Sequence, residues 1–298
     1  MPNAALEVRT YGAEARPRVG FFTDTSLCIG CKACEVACKE WNHVPGTVEP
    51  WTGDSYDNTR ALGADTWRHV AFVEQKVPVG ADGAARSLVR TAAAEDLADR
   101  AGLDTYQEGD GLRWLMSSDV CKHCTDAACL DVCPTGALFR TEFGTVVVQE
   151  DVCNGCGYCV PACPFGVLDR REDDGRVWKC TLCYDRLRDD QEPACAQACP
   201  TNSIQFGELT DLRERAAARL ETLAAAGQDE ARLYLADDDD GVGGAGAFFL
   251  LLDEPEVYGL PPDPVATTRD LRTVWAAAGA AAVALGAGLA AAVLGGRR

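Results

Sequence analysis

Residues 153–164 read CNGCGYCVPACP, four cysteines spaced C-x2-C-x2-C-x3-C with a proline closing the run. Three thiolates at that spacing wrap three corners of an iron–sulfide cubane. The fourth, one helical step further on, points out of its own loop toward a neighbouring cluster. Residues 28–42, CIGCKACEVACKEWN, repeat the spacing with Lys39 where the proline is expected. CKHCTDAACLDVCP from Cys121 widens the middle gap to x4, and the run from Cys180 to Pro200 widens it to x11 while keeping both ends. All sixteen cysteines fall in these four groups. Structural zinc uses two separated C-x2-C knuckles that close one tetrahedron, so the pattern points to [4Fe-4S] clusters, four of them.

Fourth cysteines that cross over require the groups to pair. Groups two and three are adjacent and alike, since Asp119-Val120-Cys121 recurs as Asp151-Val152-Cys153 and Cys133-Pro134 as Cys163-Pro164. Cys121, Cys124 and Cys129 are therefore expected to share a cluster with Cys163, and Cys153, Cys156 and Cys159 with Cys133. By elimination Cys28, Cys31 and Cys34 go with Cys199, and Cys180, Cys183 and Cys195 with Cys38. The expected fold is α+β: two ferredoxin-like lobes, the second inserted into the first. Gly30, Gly155 and Gly157 are read as places where backbone approaches inorganic sulfide, and Pro134, Pro164 and Pro200 as stops that fix the chain's exit. His123 is read as an outer donor or a surface residue, and Trp41 and Trp178 as packing.

The composition narrows the function. With 46 acidic against 28 basic residues, a formal charge of −18, the chain has no basic stripe for a phosphate backbone, so no nucleic-acid partner is expected. The acidity is read as a solubility device. Residues 1–22 show no apolar signal core and no twin arginine, which places the thiols first in a reducing compartment where metal binding outcompetes disulfides. Neither a Walker loop nor a nucleophile elbow nor a zincin motif is present. Cubanes fully ligated by cysteine leave no open iron, so an electron carrier without a catalytic site of its own is expected.

Along the chain, residues 1–118 hold the start of the first lobe and an insertion with the strand candidate TWRHVAFVEQKV and a polar connection around Glu108 to Gly111. Residues 119–170 form the second lobe and 171–207 complete the first. Strands are expected before each cysteine group, with a helical turn after its last cysteine. Residues 208–268 carry a helix with Leu209, Leu212, Ala216, Leu220 and Leu223 on one face and Thr210 as its N-cap. An acidic, glycine-rich loop from Asp237 to Gly246 follows, expected to extend into solvent, and then a buried strand. In residues 269–298, Thr273 to Leu294 run 22 residues without a charge, enough to cross a bilayer core. Gly279, Gly286 and Gly288 offer a small-residue face for packing on other membrane helices.

CIGCKACEVACKEWN, CNGCGYCVPACPFGVLDR, the Cys180–Ile204 run and PEVYGLPPDP together resemble the four-cluster iron–sulfur subunits of molybdopterin oxidoreductases, above all the beta subunit of membrane-bound formate dehydrogenase. The resemblance covers about residue 20 to the C-terminus. It implies four [4Fe-4S] clusters and electron flow from a molybdenum- or tungsten-pterin alpha subunit to a membrane cytochrome b gamma subunit and quinone. It also implies a single membrane anchor with the cluster lobes on the extracytoplasmic face. The lobe of groups one and four is expected to meet the catalytic subunit, and that of groups two and three the cytochrome. Hydrogenases and sulfur-compound reductases use similar subunits, so the partner's substrate stays open at this point.

Overall fold

A computed structural model of the chain describes residues 16–46, 56–77 and 111–295. In chain order, β1 (Val19–Asp24) leads into the first cysteine loop and α1 (Ala33–Trp41), and β2 (Arg68–Val77) and β3 (Gly111–Val120) follow. The segment of the second and third cysteine groups carries α2 (Ala128–Asp131), β4 (Leu138–Arg140), β5 (Val146–Val148), α3 (Cys159–Ala162) and β6 (Asp169–Arg170). Next come β7 (Val177–Trp178), α4 (Tyr184–Arg188), α5 (Ala194–Gln197) and β8 (Ile204–Glu208). The chain ends through α6 (Leu209–Ala225), β9 (Arg232–Tyr234), β10 (Ala247–Leu251) and α7 (Leu271–Gly295). The expected connection around Glu108 and the terminal Arg297 and Arg298 lie outside the described residues.

One four-stranded sheet, ordered β8-β1-β10-β9, ties the two ends of the chain together. β1 runs antiparallel to β8, with Phe21 opposite Phe206, and parallel to β10, with Phe22 opposite Phe248. Both faces of β1 are covered, which is why two consecutive phenylalanines suit it. Phe21 meets Phe206 edge-on at 6.1 Å toward the cysteine loops, while Phe22 stacks on Phe248 at 5.3 Å in a second core beneath α6. β10 reads AFFLL and every residue is buried, the continuous apolar run of a strand enclosed on both faces. α6 closes the second core with Leu209, Leu212, Ala216 and Leu223. Its cap is Glu208, not Thr210. The helix starts earlier because the Leu209 N–H is already taken by the Arg18 carbonyl at 2.9 Å and the Leu209 side chain is buried.

The insertion folds back as a ten-residue antiparallel hairpin, from Arg68 opposite Val120 to Val77 opposite Gly111. In groups two, three and four the helical turn lies between the third and fourth cysteines rather than after the last one, whereas α1 starts before Cys34 and runs on past Cys38 to Trp41. A turn between those two cysteines carries the fourth thiol a helical step away from the other three. The acidic loop also departs from expectation. Instead of extending, it folds onto the loop of the second cysteine group: Asp240 Oδ1 accepts the Val242 and Gly244 N–H groups, both at 2.9 Å. The Val242 and Gly244 carbonyls in turn accept from Asp126 and Thr125. Gly241, Gly243 and Gly244 all take positive φ, so glycine permits the fold-back that like charge opposes. Just before α7, Thr267 donates to Ala162 O at 3.0 Å and Thr268 to Asp131 Oδ2 at 2.7 Å. The last helix therefore departs from beside α2 and α3.

Candidate metal centres

The fold brings the sixteen thiols into four sets. Cys28, Cys31, Cys34 and Cys199 line one pocket. Cys121, Cys124, Cys129 and Cys163 line a second, and Cys133, Cys153, Cys156 and Cys159 a third. Cys38, carried by α1 where it packs on α5, stands among Cys180, Cys195 and Cys183. Each set thus takes three thiols from one loop and one from the partner loop.

Among the described residues no three His, Cys, Asp or Glu side chains converge closely enough to hold a single ion. The thiols stand around volumes instead, as a cubane requires and a lone zinc does not. Their electrostatics fit the same group. Burial, then repulsion from neighbouring thiols, pushes Cys38, Cys124 and Cys180 far up. Burial raises Cys34 and Cys183 to about 11 and Cys129 to about 12. Such sets carry thiolate charge only when something positive sits among them. Cys133 differs: burial still pushes it up, but hydrogen bonds from Leu138, Thr135 and Ala137 bring it below the ordinary thiol value.

The sets adjoin one another in order. Repulsion between Cys34 and Cys195 joins the first to the second, between Cys180 and Cys121 the second to the third, and between Cys129 and Cys159 the third to the fourth. The two outer sets reach the surface at Cys31 and Cys156, whereas all four thiols of the second set are buried.

Several residues about the thiols carried no sequence alert. Ser118 Oγ lies 3.2 Å from Cys34 Sγ. Asn42 Nδ2 donates to Cys38 Sγ at 3.7 Å and Cys183 Sγ at 3.8 Å. Thr135 and Thr201 place hydroxyls 3.6 and 3.8 Å from Cys133 and Cys199. The repeated Cys-Pro-Thr at 133–135 and 199–201 is the signal that finds this last pair. Lys122 and Lys179 are fully buried cations. Lys179 Nζ bonds the carbonyls of Val146 and Cys180, and its charge is felt by both Cys129 and Cys180. Lys122 Nζ lies over the Phe165 and Phe249 rings, at 5.2 and 5.1 Å.

His123 is not at the surface. It is buried beside the third set, accepts the Val146 N–H on Nδ1 at 3.1 Å, and is held neutral by burial and by Lys179, Arg18 and Arg140. Trp41 bonds Asp185 and lies under Arg186, and Trp178 stacks on Trp67 with Arg171 above it; both are packing residues. The loop glycines have a second cause besides any approach to sulfide. At Gly30, with φ +65°, a Cβ meets Phe72 at 2.6 Å and Met116 at 2.8 Å, and at Gly155, with φ +70°, it overlaps Gly175 O. These loops are pressed against the β2–β3 and β6–β7 hairpins.

Comparison with known proteins agrees with this chemistry. A 4Fe-4S dicluster domain matches residues 112–209, and a 4Fe-4S binding domain matches residues 25–41. The nitrate-inducible formate dehydrogenase iron-sulfur subunit of Escherichia coli is 39% identical over 262 residues, 87% of this chain and 76% of its own length. The formate dehydrogenase iron-sulfur subunit of Haemophilus influenzae is 39% identical over 81% of this chain and 68% of its own. A component of the anaerobic dimethyl sulfoxide reductase of Escherichia coli is 34% identical over 66% of this chain and 76% of its own.

Proposed function

The chain belongs to the formate dehydrogenase iron-sulfur subunits, and from that membership we propose that it holds four [4Fe-4S] clusters and conducts electrons between a pterin-bearing catalytic subunit and a membrane cytochrome b. The observation that supports the reading is the succession of four adjoining thiol sets, the first exposed at Cys31 and the fourth at Cys156. Cys28, Cys31, Cys34 and Cys199 would hold the first cluster and Cys38, Cys180, Cys183 and Cys195 the second. Cys121, Cys124, Cys129 and Cys163 would hold the third, and Cys133, Cys153, Cys156 and Cys159 the fourth. When bound, each cluster supplies a one-electron couple. The protein supplies spacing, burial and hydrogen bonds to sulfur.

Direction follows from α7. Among the described residues it is the one helix long and apolar enough to span a bilayer, over Leu271–Leu294. Thr267 and Thr268 root it on α3 and α2, so the fourth set faces the membrane cytochrome and the first faces the catalytic subunit. The small faces at Gly279, Gly286 and Gly288 have no neighbour within 4 Å, as suits a helix that packs on a partner. Arginines flank the charge-free run Thr273 to Leu294 on both sides, Arg269 and Arg272 before it and Arg297 and Arg298 after it. The extracytoplasmic placement of the lobes therefore rests on kinship and is tested by protease access in intact cells.

The test is the anaerobically purified full chain with and without a catalytic subunit. The chain alone carries about 16 iron and as much acid-labile sulfide, is reducible by dithionite, and leaves formate untouched. Formate reduces it only when the catalytic subunit is added. Zinc in place of iron, or formate turnover by the chain alone, overturns the reading. Truncation after Arg272 releases the cluster domain from washed membranes with its iron intact. The likeness to the dimethyl sulfoxide reductase component supports a second reading, the same conductor serving a sulfur-compound reductase. Reduction by formate against oxidation by a sulfoxide separates the two.

A further inference from the structure

Arg68, the first residue of β2, is 2% exposed and has no carboxylate within ion-pair distance among the described residues. Its Nη1 donates to the carbonyl and the hydroxyl of Ser118, both at 3.1 Å, and its guanidinium carbon lies 4.9 Å from the centre of the Phe21 ring. Nε and Nη2 are buried without a protein partner. Ser118 Oγ in turn lies 3.2 Å from Cys34 Sγ. Since Arg68 fills an acceptor site of that hydroxyl, its proton is directed at the cysteine sulfur. The thiols facing the guanidinium are Cys195, Cys34, Cys180 and Cys38, so Arg68 stands at the seam between the first and second sets.

A buried guanidinium with no carboxylate is costly unless another negative group answers it. The candidates at this seam are thiolates of two cysteine sets, each of which becomes net negative with a cubane in place and more so on reduction. Resting on the cluster reading above, we propose that Arg68 and Ser118 form a built-in potential-setting device that raises the reduction potentials of the first and second clusters. Arg68 acts on both through its charge at the seam. It acts on the first cluster also through Ser118, whose O–H donates to Cys34. Both effects favour the form carrying the extra electron, because hydrogen bonds to sulfur and nearby positive charge stabilise added negative charge. Arg68 is thus a positioning residue of the electron path, and the hairpin that carries it and Ser118 is part of that path rather than an inert insertion.

The experiment is an EPR-monitored redox titration of the full-length chain, purified anaerobically, with iron and sulfide measured on every sample. Wild type is compared with Ser118→Ala, Arg68→Lys and Arg68→Met. Cys31→Ser, Cys129→Ser and Cys156→Ser identify the signals of the first, third and fourth clusters, and the remaining signal is that of the second. Ser118→Ala keeps its iron and shifts the first signal to lower potential, leaving the signals of the second lobe unmoved. Arg68→Met lowers the first and second signals together. The reduced-to-oxidised ratio at fixed potential falls by about tenfold or more, and tenfold is about 59 mV for a one-electron couple. Arg68→Lys, which keeps the charge, restores most of that loss. Curves for Ser118→Ala and Arg68→Met that superimpose on wild type, with full iron, overturn the proposal while leaving the clusters in place. If Arg68→Met loses iron, Ser118→Ala and Arg68→Lys still decide it. Wild-type protein without iron overturns the cluster reading itself.

Discussion

The outer thiol sets and the inner ones present the same four-cysteine chemistry in opposite surroundings. The outer sets touch water at Cys31 and Cys156, and each receives a threonine hydroxyl on the cysteine that crosses from the partner loop, Cys199 and Cys133. The second set is wholly buried, and the inner sets have buried cations beside them, Arg68 at one junction and Lys179 at the next. Neutral donors reach outer and inner sets alike, Ser118 at the first and Asn42 at the second. The buried cations Arg68 and Lys179 stand where the second set, closed to solvent, adjoins its neighbours. In a chain of net charge −18, the location of the few fully buried basic residues is therefore informative.

The sharpest way to break this contrast is to remove one ligand from each kind of set. Cys183→Ser, inside the buried set, is expected to cost more than one cluster's iron and much of the folded yield. Cys156→Ser is expected to lose no more than about 4 of about 16 irons. Equal losses by iron and sulfide analysis would falsify the distinction. Next in size is Lys179→Met, which strands the buried carbonyls of Val146 and Cys180. At about 1–3 kcal/mol for each unmet group, stability should drop by roughly 3 kcal/mol, read as a lowered anaerobic melting temperature. An unchanged transition would mean that water reaches the inner junction after all.

Gly155→Ala tests how the outer loop is held. Left-handed backbone costs about 1–2 kcal/mol for an L-residue, and here the new Cβ also overlaps Gly175 O. Gly136→Ala shares the positive φ but has nothing within 4 Å, so it bears the backbone cost alone. Chelator-driven iron release should accelerate in the first variant well beyond the second. The smallest effect is expected from Thr135→Val and Thr201→Val. Each removes one hydroxyl–sulfur hydrogen bond, of about 1 kcal/mol, and should lower the potential of one outer cluster while the inner signals stay put. A shift in an inner signal instead would show that the hydroxyls act at a distance.

The expected sharing of each cluster between two loops came from cysteine spacing, from the likeness of groups two and three and from elimination, and the ligand-removal variants test it. The membrane-length helix was legible in the sequence, since length and missing charge are local properties. Other features were not. Lys122, Lys179 and Arg68 look like any basic residue in the sequence, and only the packing shows that they are enclosed. AFFLL announced a strand buried on both faces but not its partner, because a parallel pairing between Phe21 and Ala247 leaves no short-range mark. The acidic loop misled for a definite reason: like charges favour extension, yet Asp240 spends its carboxylate on two backbone N–H groups of its own turn.

The sheet order β8-β1-β10-β9 also bears on how the polypeptide emerges from the ribosome. Domains ordinarily fold from the N-terminus forward as synthesis proceeds, at about 5–20 residues per second. Here β1 must wait for β8 and then for β10, whose pairing residues run to Leu250. Cys199 follows Cys34 by about 165 residues, a delay of roughly 8–33 s at those rates. Cys121 through Cys163 emerge close together, so the cysteines of the third and fourth sets are all made before Cys199 supplies the last of the first set. The cysteines made first are therefore the ones that wait longest for a fourth companion, although β10 and α7 are still to come when it arrives.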